Sequence, residues 1–228
     1  MKLVFISDIH LNTGHEPKAR ALISFLEGLK EKGVTDLFLV GDIFDLWLSH
    51  HQYFVLRYGP VVRAIKQVCE VDRIKIHYFE GNHDLYLRNY WSSFKRLRVY
   101  EDSHCFQYGD KMLRVEHGDL MNPEDKGYLF LRWFLRTTPL KFLGKNLPGK
   151  TAAWIGDKAS HKSREYTSTS KKIEEEQTVK IIREYAEKSF EETPFDLMVT
   201  GHVHLVDDYI VSNRSEDREG RSVNLGTM

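Results

Sequence analysis

Five short apolar runs in this chain stop in the same way, and no other feature limits its fold so tightly. "KLVFIS" (2–7) runs into Asp8-Ile9-His10, and "TDLFLV" (35–40) into Gly41-Asp42, with Asp45 three residues on. "IKIHYFE" (74–80) ends at Gly81-Asn82-His83-Asp84. "KMLRVE" (111–116) ends at His117-Gly118-Asp119, and "FDLMVT" (195–200) at Gly201-His202-Val203-His204. Runs this short and this rich in Val, Ile, Leu and Phe read as buried strands. Each then presents a carboxylate, amide or imidazole at its carboxyl end.

Helical patterns fall between these strands. Over 17–32, Pro17 suits a first turn, Leu22, Phe25, Leu26 and Leu29 share one face, and Gly33 suits a C-terminal cap. Residues 53–70 predict a helix broken near Gly59-Pro60, and 173–190 predict another. A charged hairpin, "YIVSNRSEDREGRSVNLG", closes the chain. Alternating strands and helices argue an α/β layered fold. Residues 122–172 break the alternation, with dense aromatics, Arg and Lys around Pro139 and Pro148. They read as helical pieces inserted into a core made of 1–121 and 173–228.

Length and composition narrow the function. The 228 residues, 41% hydrophobic, suffice for one sizeable core. Lys+Arg and Asp+Glu balance at 33 each, so nothing draws the whole chain to nucleic acid, and no such partner is expected. Cys69 and Cys105 form no CxxC pair, which argues against a structural zinc site and for reduced thiols in a cytoplasmic protein. "MKLVFISDIH" reaches Asp8 too soon for a signal peptide, and no apolar run is long enough to span a membrane.

In layered α/β folds, ligands collect outside the carboxyl ends of strands. Five strands sharing one sheet region would bring Asp8, His10, Asp42, Asn82, His117, His202 and His204 to one place. That donor set, nitrogen and oxygen without thiolate, suits divalent Mn, Fe or Zn. It is too large for one tetrahedral ion and suits two, about 3.5–4 Å apart and held by a shared ligand. Asp42, in the middle of the set, is the expected bridge. Were the substrate a phosphoester, two such ions would offset its charge and acidify a bound water, giving hydrolysis at phosphorus. His83 is expected to stabilise the phosphoryl oxygens or protonate the leaving group, with Asp84 or another acid orienting it. Asp45 is expected to orient a ligand histidine, while Asp119 reads equally as a turn former.

The motifs "DIH", "GDIFD", "GNHD", "HGD" and "GHVH" resemble those of the calcineurin-like metallophosphoesterases, along nearly the whole chain. The resemblance implies a four-layer αββα sandwich, two sheets between helices, with a dinuclear site at one edge. By motif, one metal takes Asp8, His10 and His204, the other takes Asn82, His117 and His202, and Asp42 bridges. Mn²⁺ is the first expectation, with Fe or Zn next.

"GDIFDLW" and "HGDLMNPEDKGYLFLRWF" further resemble the UDP-2,3-diacylglucosamine pyrophosphohydrolases of lipid A synthesis. That resemblance implies that 122–172 is a helical cap taking acyl chains, and it marks Asp125, Tyr128, Arg164 and Lys171 as substrate contacts. The best-known members of that family carry Arg where this chain has His83, and the wider superfamily carries His. The chain also stops at "SVNLGTM", earlier than the resemblance leads one to expect. The implied reaction releases UMP and an acylated sugar phosphate. Interleaved Arg132, Arg136, Lys141, Lys145 and Lys150 suit an anionic membrane face, so peripheral contact with the inner face of the cytoplasmic membrane is expected. The same ligand set also suits a soluble phosphodiesterase or a phosphatase acting on nucleotides or phosphoproteins, and a module that binds metal without turnover.

Overall fold

The computed structural model describes residues 1–155, 175–213 and 218–227. Its first sheet is β1 (Leu3–Ile6), β2 (Asp36–Val40), β4 (Lys75–Phe79) and β6 (Leu97–Tyr100), in that order and all parallel. The second is β10 (Val206–Asn213), β11 (Arg218–Leu225), β9 (Leu197–Thr200), β8 (Lys111–Val115) and β7 (His104–Tyr108). Its central pairs β11–β9 and β9–β8 are parallel, and both edge pairs are antiparallel. A short parallel pair, β3 (Trp47–Leu48) with β5 (Asp84–Leu85), ties together the turns that follow β2 and β4.

Three apolar layers hold these elements. Strand β2 is buried throughout, and its side chains alternate between two of them. Leu37 and Leu39 pack with Leu22 and Leu26 of α1 (Pro17–Glu27), Phe54 of α2 (Gln52–Arg57), and Val61 and Ile65 of α3 (Gly59–Lys66). Phe38 and Val40 point the other way and meet Phe79, Leu113, Val115 and Val199 between the sheets. On the far side, Met198 and Val211 pack against Ala186 and Phe190, which belong to the last helix, Glu175–Glu192. Helix, sheet, sheet and helix follow one another, as expected for αββα.

The break at Gly59-Pro60 separates α2 from α3, and one turn of π-helix (Gln67–Val71) extends α3. Helix α4 (Arg88–Trp91), β6 and β7 are additions to the sequence reading. β6 escapes it because Lys95, Arg96 and Arg98 dilute its apolar pattern, and β7 because it is a partly exposed edge. Between β8 and β9 lie α5 (Lys126–Leu135), α6 (Thr138–Asn146) and α7, described over 149–155. The helix Glu175–Glu192 is therefore α8. Among the described residues, no helix is long and apolar enough to cross a membrane.

Candidate metal centre

The parallel strands put the ends of β1, β2, β4, β8 and β9 at one edge of the sandwich. Three groups of metal-capable atoms form there: Asp8, His10 and His204; Asp42, His117 and His202; and, along the rim, His10, Asp45 and His83. Asn82 joins the second, its Oδ1 lying 3.2 Å from His117 Nε2 and 3.0 Å from His202 Nδ1. Asp42 Oδ2 lies between the first two, at 3.8 Å from His10 Nε2 and 3.5 Å from His117 Nε2. All seven expected ligands are thus brought together, with Asp42 between the first two groups.

The backbone is bent to achieve this. Asp8, His10, Asp42, His202 and His204 all have φ between 51° and 71°. Such conformations cost non-glycine residues about 1–3 kcal/mol each and collect at functional sites. Glycine makes room at the critical point: a Cβ on Gly81 would overlap the Asp42 carboxylate.

Hydrogen bonds fix the orientation of the donors. His117 Nδ1 donates to the Val40 carbonyl at 2.9 Å, which turns Nε2 toward the centre. The Asp8 carboxylate accepts the His202 N–H at 2.9 Å through Oδ2. Its Oδ1 is buried without a hydrogen bond and faces His204 Nε2 at 3.4 Å and His10 Nε2 at 3.9 Å. His10 Nε2 and His204 Nε2 are 3.1 Å apart. A buried orphan oxygen and two imidazole nitrogens turned toward each other are what a divalent cation would satisfy, so these residues fit one.

Electrostatics agree. Burial pushes His202 down to about 4, helped by the His117 charge, so its ring is neutral and free to coordinate near neutral pH. Burial lowers His10 as well. Burial opposes the ionisation of Asp42, but His117 first, then His83 and His10, hold its carboxyl far below the usual range. His204 is 45% exposed, so the centre opens to solvent on its side.

His83 lies at the rim, its ring edge-on to His10 with centroids 4.8 Å apart. Its N–H donates to Asp42 Oδ1 at 2.9 Å, and its Nδ1 to the Asp45 carbonyl at 2.8 Å. Asp45 Oδ1 stands 3.8 Å from the Nδ1 atoms of both His83 and His10. The acid beside His83 is therefore Asp45. Asp84, the sequence's first candidate for that place, is turned into the protein. It accepts the N–H groups of Asp42, Ile43 and Gly81 and the Tyr78 hydroxyl, all within 2.7–3.1 Å. Burial and the Asp42 charge raise its pKa.

The expected substrate contacts divide. Asp125 is the N-cap of α5, accepting the Tyr128 N–H at 3.0 Å. Tyr128 reaches the centre, with its ring 5.9 Å from that of His202 and its hydroxyl 2.6 Å from Asp119 Oδ2. Arg164 and Lys171 lie outside the described residues. Asn224 was missed: its Nδ2 donates to Thr200 Oγ1 and to the Gly201 carbonyl, bracing the loop that carries His202 and His204. Nothing local to "SVNLG" announces that role.

The sequence pattern of the calcineurin-like phosphoesterases matches residues 1–206. The chain belongs to that family. It is a metal-dependent hydrolase of the phosphoesterase type. A UDP-2,3-diacylglucosamine hydrolase of Psychromonas ingrahamii is 25% identical over 209 residues, covering 90% of this chain and 82% of that protein. One from Pseudomonas fluorescens is 24% identical over 206 residues, covering 89% and 79%. Among solved structures, Yfce, a phosphoesterase from E. coli, is similar with a TM-score of 0.45 at 19% identity, covering 100% of this chain and 80% of that one.

Proposed function

We propose that this phosphoesterase hydrolyses UDP-2,3-diacylglucosamine at the α-phosphorus, giving UMP and 2,3-diacylglucosamine 1-phosphate. The observation that carries the reading is an exposed aromatic face close to a cluster of metal-capable residues. Phe130 and Trp133 of α5 are each 63% exposed and Phe142 of α6 is 70% exposed, an unusual density of open aromatics for a protein surface. Relatives named for that substrate, aligned over about nine-tenths of the chain, support it.

In this reading two ions, manganese first, are held by Asp8, His10 and His204 and by Asn82, His117 and His202, with Asp42 shared. When bound, such ions offset phosphate charge and lower the pKa of a bound water toward about 7. The protein supplies the rest. Val40, through His117, and Asp45, beside His10, orient ligand rings. His83, its Nδ1 proton held by the Asp45 carbonyl, turns its other nitrogen to the phosphoryl oxygens or the leaving group. The described part of the insertion, α5 to α7, acts as the cap, and its exposed aromatics with Lys145 and Lys150 rest on the inner face of the cytoplasmic membrane.

Product analysis after incubation with UDP-2,3-diacylglucosamine and Mn²⁺ tests the reading, and UMP is expected. UDP instead would mean that another bond is cut. No product, with bis(p-nitrophenyl) phosphate still hydrolysed, would leave a soluble phosphodiesterase or phosphatase.

A further inference from the structure

Helix α5 is tied to the rest of the protein by a row of polar contacts. None of its residues is fully buried, and Phe130, Trp133 and Phe134 are exposed. Its anchors come from one face, at four-residue spacing. Tyr128 Oη and Arg132 Nε both donate to Asp119 Oδ2, at 2.6 and 2.7 Å. Arg132 Nη2 also reaches Asp102 Oδ1 at 3.0 Å, and Arg136 Nη1 donates to the Glu101 carbonyl at 2.7 Å. The Tyr86 hydroxyl donates to the Leu135 carbonyl at the end of the helix.

Asp119 differs from the other acceptors. It is buried, and it lies two residues beyond His117 on the turn that leaves β8. A charge-assisted bond to a buried carboxylate holds geometry better than the surface pair with Asp102. One oxygen of one side chain therefore joins the cap helix to the turn that carries a metal-capable histidine.

We infer that Asp119 is a positioning residue: through Tyr128 and Arg132 it clasps α5 over the centre, and on the substrate reading above that clasp selects phosphoesters bearing apolar chains over small ones. A small ester needs only the strand tips. A chain-bearing one also needs the exposed aromatic face of α5 at a fixed height above the phosphorus. Loosening the clasp leaves the ligand set intact and removes that register.

The test compares the Mn²⁺-loaded wild type with Arg132→Gln and Arg132→Lys. Arg132→Gln is expected to raise KM for UDP-2,3-diacylglucosamine about 10-fold while kcat/KM for bis(p-nitrophenyl) phosphate stays within about 2-fold. Amide hydrogen exchange should quicken over 126–135 and not over 36–40. Arg132→Lys, which keeps the charge and loses the fork, should recover part of both effects. An equal loss on both substrates, or exchange rising in β2 as well, would make Arg132 a general stabiliser and overturn the clasp. So would unchanged exchange over α5. A wild type that cleaves the small ester but never the acylated nucleotide would sink the substrate reading instead, and with it the selectivity, while the exchange comparison still decides whether the clasp exists.

Discussion

The turn after β2 is crowded where helix α5 is bare. Around Asp42, the N–H of His83 meets one carboxylate oxygen, His10 and His117 flank the other, Asp84 takes the backbone N–H, and Gly81 has no room for a Cβ. Along α5, Phe130, Trp133 and Phe134 meet solvent, and a few polar bonds tie the helix down. The contrast teaches a division of labour. The centre is specified by contacts that tolerate no added atom, as reactive geometry requires. Helix α5 is specified by a few anchors, and its apolar face is left open to solvent.

The strongest challenge to that division is His83→Ala. Loss of a group that moves protons or meets the phosphoryl oxygens should lower kcat by roughly 100-fold or more while bound metal, measured by elemental analysis, is unchanged. Metal lost along with activity would place His83 among the supports of the centre. Gly81→Ala comes next. A methyl driven into the Asp42 carboxylate should weaken metal affinity by roughly 10–100-fold, read by titration with Mn²⁺. Wild-type affinity would show that the crowding is dispensable.

Asn224→Ala tests the bracing of the GHVH loop. Removing two buried hydrogen bonds should cost about 1–3 kcal/mol in denaturant unfolding and weaken metal binding with it. On the cap side, Trp133→Ser should shift stability by less than about 0.5 kcal/mol, yet reduce retention on anionic vesicles. A large stability loss there would mean that the cap is packed as tightly as the centre.

His77 offers the gentlest test, since it lies in the sheet layer and outside both regions compared. Burial pushes its pKa down, against the pull of Asp36, and its ring nitrogens meet Tyr100 Oη and Asp36 Oδ1. A lowered folded pKa favours the neutral ring, so its contribution to stability is whole above about pH 6.5 and fades as pH falls below that value. Thermal melts should show the wild type losing stability through that window more steeply than His77→Gln. Equal slopes would remove His77 from the account.

What the sequence disclosed follows the same division. The strand tips were legible because a short, mostly apolar run that halts at Gly, Asp or His is a local signal, and five of them converge only if the strands are parallel. The α/β layering followed from β–α alternation, whereas the four-layer αββα order came only from the family resemblance. Asp84 misled because adjacency in sequence put it beside His83, whereas the backbone turns the two apart and the β3–β5 pair brings Asp45 to that place. Asn224, and the choice of Arg132 as an anchor for α5, depend on partners 13 or more residues away in the chain. On α5 only the Tyr128, Arg132 and Arg136 spacing hinted at an anchored face.

The central claim is that two cations share Asp42. Elemental analysis of wild type and Asp42→Asn, each saturated with Mn²⁺ and desalted, tests it most directly. Two ions per chain in the wild type, and loss of both with loss of turnover in the variant, are the predicted result. A fully active wild type holding one ion or none, or a variant that keeps both ions and full turnover, would contradict it.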